Sequence, residues 1–499
     1  MERNFDKFIK KEYDLLVVGG GINGAGLAHL AGDHGLKAAL LEKGDFASAT
    51  SGKSTKLIHG GIRYLENFDF GLVKESLKER AIQLKAAPHL VRPLSFIIPV
   101  YKGDKRPLWM MKLGVFLYEG LAGKRSVGKH RRLSAVNISE LVPGIRREGL
   151  LGGVLYYDAQ MDDARLCLEN VLSAVEKGAD IANYVEVVSF LKEGGKATGV
   201  LARDVLGGAV FKVRAKKIVC AVGPWANHLL KKDSYRARKI IRTTKGAHIV
   251  YKGKFSDHAL LLPSDRDGRI FFVIPWMGHS LIGTTDTSFA KNPDRVETSP
   301  GDIRYLSEST KRVFPDRDFS GKNIITSFAG LRPLIRRKGS PSKVTRSHAL
   351  VETKSGLVFV TGGKYTTYRK IAEDTLRKVF NRGVKKPFRL YGGGKISVNR
   401  DHAARKYNVD PNTITFLMGK YGARYEDVLA FVEKDKSLAE RICDCSPAIR
   451  AQIAYSVGRE MALTADDIIL RRLTLQFFPC KTNNCRIQIA QFMQKAQNT

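Results

Sequence analysis

Tyr13 to Val18 is a short apolar run directly behind a charged start, and Lys37 to Leu41 is a second such run. Between them lies a small-residue stretch that continues as a helix to about Asp33, with Gly35 placed as its stop signal. The order strand–helix–strand is therefore predicted for the first forty residues. A helix is predicted over Leu72 to Leu84, broken by Pro88 and Pro93, with strand resuming over Phe96 to Tyr101. Residues 107 to 122 are largely apolar and contain Leu108-Trp109-Met110-Met111. This segment reads as a buried helix, the competing reading being contact with a membrane. Asp163 to Lys177 carries a clear amphipathic helical period. Strands are expected at Lys212 to Val222, Ala247 to Tyr251, Arg269 to Ile274, Ser280 to Gly283 and Leu357 to Val360. The last runs into Thr361-Gly362-Gly363 and a helix to Lys378. Arg382 to Lys395, holding Lys385-Lys386-Pro387 and Gly392-Gly393-Gly394, reads as a linker, and residues 400 to 499 as nearly all helix.

A chain of 499 residues with 43% hydrophobic and 27% charged composition can bury two or three structural units. No run approaches the roughly 18 apolar residues of a membrane-spanning helix, and nothing in Met1 to Lys11 reads as a secretory signal. A cytoplasmic protein is expected. The formal charge of +35 asks for an explanation. Its cations are scattered in pairs such as Arg131-Arg132, Lys216-Lys217 and Lys231-Lys232, with one triplet, Arg336-Arg337-Lys338, and no nucleic-acid motif accompanies them. Attraction to an anionic membrane surface and a general basic bias rank above nucleic-acid binding. Of the six cysteines, Cys167 and Cys220 sit in apolar contexts, and the other four fall between 443 and 485.

Gly19, Gly21 and Gly24 form G-x-G-x-x-G directly after the first strand. The first permits a tight turn, the second lets the backbone approach a diphosphate, and the third lets helix and strand pack closely. The helix start offers N–H groups and a positive dipole end to that diphosphate. Glu42, ending the second strand, can accept from ribose hydroxyls. The motif alone does not separate FAD from NAD. Two features favour FAD. The long small-residue stretch from Gly44 to Gly61 can run along a flavin, and Thr361-Gly362-Gly363-Lys364 can place a helix N-terminus at the pyrimidine edge of a reduced flavin.

The segment Gly19 to Glu42, the block Ser54-Thr55-Lys56-Leu57-Ile58-His59-Gly60-Gly61-Ile62-Arg63-Tyr64-Leu65-Glu66, then Gly223-Pro224-Trp225, Ile282-Gly283-Thr284-Thr285-Asp286 and Gly362-Gly363-Lys364-Tyr365-Thr366-Thr367-Tyr368-Arg369 together resemble the FAD-dependent glycerol-3-phosphate dehydrogenases. The resemblance is collinear over residues 13 to 380. It implies an α/β fold: a Rossmann-like FAD-binding domain, an α+β substrate-capping domain with an antiparallel sheet, and a helical C-terminal domain. The corresponding division is 12–85, 150–235 and 350–382 for the FAD domain, 86–149 and 236–349 for the cap, and 396–499 for the helices. It implies oxidation of sn-glycerol 3-phosphate to dihydroxyacetone phosphate, hydride passing from C2 to flavin N5 and electrons to a membrane quinone. Peripheral attachment to the inner face of the cytoplasmic membrane follows, and a homodimer is among the expected assemblies. FAD contacts are implied at Gly19, Gly21, Ile22, Asn23, Gly24, Glu42, Thr50, Ser51, Ser54, Lys56, Leu57, His59, Gly60, Val187, Gly223, Trp225, Gly363, Lys364 and Thr366.

A phosphorylated alcohol needs fixed cations for its phosphate and an acceptor for its hydroxyl proton. The resemblance points to Arg63, Tyr64, Arg332, Arg346 and Lys364 for substrate binding. His248, in Lys245-Gly246-Ala247-His248-Ile249, is the candidate base, beside the reading of a strand histidine with a satisfied hydrogen bond; Arg332 is the candidate for stabilising the developing alkoxide. Other classes stay open: an oxygen-using glycerol-3-phosphate oxidase, an amine or amino-acid oxidase, and a non-enzymatic nucleic-acid- or lipid-surface protein. Cys443 and Cys445 form C-x-C, and after 34 intervening residues Cys480 and Cys485 form C-x4-C. The spacing resembles the 2Fe–2S domain of bacterioferritin-associated ferredoxin type, although the loop Lys481-Thr482-Asn483-Asn484 lacks the expected glycine. A bound cluster and four ordinary thiols are both open readings.

Overall fold

The computed structural model describes residues 1, 3–336, 348–383, 388–396, 399–478 and 484–497. Its first sheet is built around the strand Glu12–Val18, which pairs in parallel with Ala38–Leu41 on one side and Val210–Cys220 on the other. The strand order is 348–352, 358–362, 210–220, 12–18, 38–41, 180–182. The chain leaves the first strand in opposite directions across the sheet, so a crevice opens at the strands' C-terminal ends. Strand alternation explains the apolar run that builds it. Leu15 and Val17 face a core formed with the helices Ile22–Asp33, Asp163–Glu176 and Tyr368–Phe380. Leu16 and Val18 face a second core holding Phe8, Leu229 and the hairpin 185–204.

The second sheet is mostly antiparallel, and Ile241–Tyr251 pairs along its length with Ile324–Ile335. One parallel pair interrupts the pattern, Ala259–Pro263 against Val91–Tyr101. The strand Leu150–Met161, which the sequence division groups with the FAD domain, pairs here with Val91–Tyr101. That strand also runs through Pro93, read above as a breaker. Pro93 pairs with Ala159, whereas the strand on its other side reaches only Phe96 and Ile97. At Pro93 the other side of the strand is an edge, a position that tolerates proline. Ile241 to Gly246, polar enough to escape notice as strand, is held there by its long partner.

Three further expectations change. The Leu108–Ala122 helix buries only Val115, Tyr118 and Ala122, and Trp109 is 67% exposed with Leu113, Phe116 and Leu117 exposed beside it. An evenly apolar run has no period to reveal that only one edge is covered. The triglycine at 392–394 is packed rather than a loose linker: a Cβ on Gly393 would lie 2.1 Å from the Ala86 carbonyl oxygen, and Gly392 N–H donates to the Glu169 carboxylate at 2.5 Å. The C-terminal region has helices at 400–407, 411–421, 425–434, 450–460 and 484–497, but 435–449 is largely irregular.

Buried charge pairs fasten this region to the first sheet's helices. Arg165 pairs with Glu169 and Glu460, and Lys420 with Asp162 at 2.5 Å. A π-helical turn at Ile468–Arg472 turns Arg471 and Arg472 onto Asp45, Arg472 binding both carboxylate oxygens at 2.6 and 2.8 Å.

Candidate active site

A cavity of about 970 Å³ follows the crevice of the first sheet and ends against the second. Each motif glycine has a steric reason. Gly19 has φ +108°, and a Cβ there would lie 2.7 Å from the Ala221 carbonyl oxygen; on Gly24 it would lie 1.9 Å from that of Gly19. On Gly21 it would meet only Ser51 Oγ, at 3.1 Å, so this glycine leaves space on the cavity side. The N-cap residue Gly21 has no side chain to close the helix that starts at Ile22, the Ile22 N–H donates to Ser51 Oγ at 2.9 Å, and Asn23 Oδ1 has no partner. Glu42 accepts from Gly20 N–H at 2.6 Å and Gly44 N–H at 2.9 Å. Burial raises the carboxyl above its ordinary range, opposed by the Gly44 and Gly20 N–H groups. This wall suits a ribosyl diphosphate.

The small-residue stretch after Glu42 continues along the cavity and is pinned to the second sheet. Thr50 donates to the Leu331 carbonyl at 2.7 Å, and a Cβ on Gly330 would lie 2.9 Å from the Lys53 carbonyl oxygen. Opposite, Thr366 ties the 362–367 turn to the backbone of His59 through bonds of 3.2 and 3.3 Å.

At the inner end, His248 on the 241–251 strand faces Gly283 across the ladder. A Cβ on Gly283 would sit 2.2 Å from His248 Cδ2, so the glycine makes room for the ring. The imidazole stacks on Phe328, with centroids 4.9 Å apart, and its Nε2 lies 3.0 Å from Thr55 Oγ1. Nδ1 is buried without a partner. Burial, reinforced by the Arg332 and Lys56 charges, holds the imidazole well below its ordinary value of 6.5, so it is neutral at physiological pH. The Arg332 guanidinium lies over Gly246 and is fixed by Thr284 Oγ1 at 2.9 Å, the Thr285 carbonyl at 3.2 Å and Asp286 at 3.2 Å. Lys364 Nζ lies 3.8 Å above the Tyr64 ring and 3.0 Å from Ser76 Oγ. Lys53 also lines this end, and burial lowers its pKa. A neutral proton acceptor beside fixed cations suits an anionic alcohol.

Of the residues expected to touch the cofactor, Gly19, Gly21, Ile22, Asn23 and Glu42 line the cavity, as do Thr50, Ser51, Ser54, Leu57 and His59. Val187, Gly223, Trp225, Gly363, Lys364 and Thr366 complete its walls, and Tyr64, His248 and Arg332 stand at the substrate end. Gly24 packs within the strand–helix unit, and Gly60 packs against Tyr118 and Leu77. Lys56 turns away into a buried pair with Asp163 at 2.5 Å. Arg63 is exposed and absent from the wall. Arg346 lies outside the described residues, as does Cys480. Lys53, Thr55, Thr284 and Asp286 were given no role from the sequence, although the last three stand inside the quoted blocks and the first directly before one; their partners are fixed by strand register, which spacing does not show. Cys443, Cys445 and Cys485 bring their sulfur atoms within 4.8 Å of one another, away from this cavity.

Residues 14–369 match the family described as FAD dependent oxidoreductase, and residues 385–498 match the C-terminal domain of alpha-glycerophosphate oxidase. The glycerol-3-phosphate dehydrogenase of Synechocystis is 38% identical over 95% of this chain and 90% of its own length. The aerobic glycerol-3-phosphate dehydrogenase of Bacillus subtilis is 36% identical over 96% of this chain and 90% of its own. Among solved structures, the FAD complex of the glycerol-3-phosphate dehydrogenase from Bacillus halodurans superposes with a TM-score of 0.79 at 31% identity, covering 99% of this chain and 90% of that one.

Proposed function

Because the chain belongs to the FAD-dependent glycerol-3-phosphate dehydrogenases, we propose that its cavity binds FAD along the glycine wall and oxidises sn-glycerol 3-phosphate at the His248–Arg332 end. The observation that carries the reading is that corner: a buried, neutral imidazole beside an anchored guanidinium, in the same cavity as the nucleotide cradle. The residues fit FAD. Gly21 leaves room on the cavity side, Asn23 Oδ1 at the start of the Ile22–Asp33 helix has no partner, and Glu42 is held on the cavity wall by the Gly20 and Gly44 N–H groups, where it could accept from a ribose hydroxyl. When bound, FAD supplies the two-electron acceptor for the substrate hydride.

The protein's own groups do the rest. Arg332 and Lys364 hold the anionic substrate, and Tyr64 supports the Lys364 ammonium from below. His248 accepts the C2 hydroxyl proton at Nε2 through the Thr55 hydroxyl, which stands 3.0 Å from that nitrogen and gives up its own proton as it takes the substrate's. Arg332 stabilises the alkoxide that develops as the proton leaves. Arg63, exposed and off the cavity wall, receives no part in this arrangement. Glu42→Ala is expected to weaken FAD binding by about 1–3 kcal/mol, the cost of losing charge-assisted hydrogen bonds. The flavin-to-protein ratio after gel filtration measures it, and undiminished flavin retention removes Glu42 from the cofactor site.

Electrons then pass to a membrane quinone. No helix among the described residues is long and apolar enough to cross a membrane. The exposed edge of Leu108–Ala122 offers Trp109, Leu113 and Phe116, and the adjoining turn adds Phe68, 79% exposed, and Phe70. Lys105, Lys124, Arg125 and Lys129 are exposed around it. An apolar edge ringed by cations fits an anionic bilayer surface. Binding to vesicles containing anionic lipid is expected to fall as salt brings the Debye length below about 10 Å, and to fall further in Trp109→Ser/Phe116→Ser. Cosedimentation reads both, and equal binding to neutral and anionic vesicles overturns the surface. The deciding assay mixes the yellow protein with glycerol 3-phosphate and either a quinone or oxygen. Quinone reduction without stoichiometric peroxide supports the dehydrogenase. Peroxide at the rate of turnover gives the oxidase, the reading that the match of residues 385–498 favours.

A further inference from the structure

The C-terminal region contains a second chemically competent cluster, remote from the cavity. Cys443 and Cys445 stand on an irregular loop, and Cys485 stands in the first turn of the Asn484–Gln497 helix. The three sulfur atoms lie within 4.8 Å of one another, with Cys443 to Cys445 at 2.6 Å and Cys445 to Cys485 at 3.8 Å. Two devices hold them there. The Arg441 guanidinium donates to the Asp444 carbonyl at 2.9 Å and to the Ser446 carbonyl at 2.9 and 3.1 Å, while Ile442 N–H donates to Ala448 O at 2.9 Å. These bonds close the loop around the C-x-C pair. On the other side, Ile489 and Met493 seat the helix in a core with Ile442, Ala448 and Ile468. The thiols thus converge from segments 40 positions apart, each anchored independently of the sulfur atoms.

We propose that Cys443, Cys445 and Cys485 bind a thiophilic transition metal as thiolates, either a zinc or iron ion or the iron of an iron–sulfur cluster. Sulfur ligands at about 2.3 Å from a tetrahedral metal stand about 3.8 Å apart, which the Cys445–Cys485 separation already meets. The closer C-x-C pair opens by about 1 Å on binding to reach the same spacing. Each thiol gives up its proton as the metal–sulfur bond forms, so binding releases protons to solvent. The centre closes the chain between Cys445 and Cys485 and staples the last helix to the loop at 441–449.

The test is made on the full chain purified anaerobically without chelators or a metal-affinity tag. Metal and acid-labile sulfide are quantified per chain, and a mercurial is titrated in while a chromophoric chelator reads metal release. About one zinc or iron per chain, or iron with matching acid-labile sulfide, is expected. It should be released in step with mercurial binding. Cys443→Ser and Cys485→Ser should fall to background, and Cys220→Ala should keep its metal. The mercurial titration of the unaltered chain stands if the serine variants do not fold. Background metal in the anaerobic protein, persisting after incubation with zinc and with ferrous iron plus sulfide, overturns the site. So does a Cys443–Cys445 disulfide in the anaerobic protein, or metal retained by both serine variants. Flavin content and dye-linked turnover are measured on the same samples, so failure of this centre is distinguishable from failure of the flavin site.

Discussion

His248→Ala is expected to lower kcat by roughly 10²- to 10⁴-fold, the range for a lost general base, with flavin content and spectrum unchanged. Protonation state decides the effect. An exposed imidazole would be partly protonated near neutrality and would compete poorly for a hydroxyl proton. Here burial and the neighbouring Arg332 and Lys56 charges keep the ring neutral. The sign of the pH dependence follows. As pH falls, His248 in the folded enzyme does not take up its proton on passing 6.5, so kcat/KM should carry no imidazole inflection there and should decline only at lower pH. The unfolded chain does bind the proton near 6.5, so this one group withdraws stability from the fold as pH drops below that value. Arg332→Ala should also cripple turnover, whereas the exposed Arg132→Ala should not. A full-rate His248→Ala enzyme removes His248 as the base, and an inflection at 6.5 that the variant lacks shows instead that the ring titrates at its ordinary value.

Arg165→Met is expected to destabilise the protein by about 3–5 kcal/mol, the cost of breaking a buried ion pair by deleting one partner. Arg165 is fully buried between Glu169 and Glu460 and lies 4.4 Å from the Tyr421 ring centroid. Methionine keeps much of the volume but leaves two carboxylates without their main counter-charge. Adding Glu460→Leu should recover part of the loss, because it removes one of the two stranded charges while Glu169 remains. Denaturant unfolding of the FAD-bound protein measures both steps. Unchanged stability in the single variant, or no recovery in the double, shows that the pair does not carry this contact.

The nucleotide cradle was legible because its reasons are local. Gly19 and Gly24 answer a steric demand from the next strand and from a residue a few positions away, and Gly21 leaves space on the cavity side. The substrate corner was legible in its residues but not in its contacts. His248 depends on Thr55, Gly283 and Phe328, and Arg332 on Thr284 and Asp286, all brought together by strand register. The Leu108–Ala122 helix was misread because uniform apolarity says nothing about which edge meets a core. Arg165 was invisible for the opposite reason: in a chain with 84 basic residues, a buried arginine looks like any surface one. The triglycine at 392–394 carries the composition of a hinge, and only the close approach of Ala86 and Tyr421 shows that it is a contact.

The charge joints between the C-terminal region and the first sheet constrain how this protein can change over generations. Asp45 and Arg472 stand 427 positions apart, as Arg165 and Glu460 stand 295 apart, and each pair is sealed from water. A lineage that loses one member strands the other, so the two ends of the chain are inherited as a unit. A hybrid joining the first 380 residues to the tail of a distant relative should fold only if that tail brings its own partners for Asp45, Asp162 and Arg165. Any single crossover between positions 45 and 472 parts Asp45 from Arg472, whereas exchange of an internal segment such as the exposed Leu108–Ala122 edge leaves both joints with their own partners.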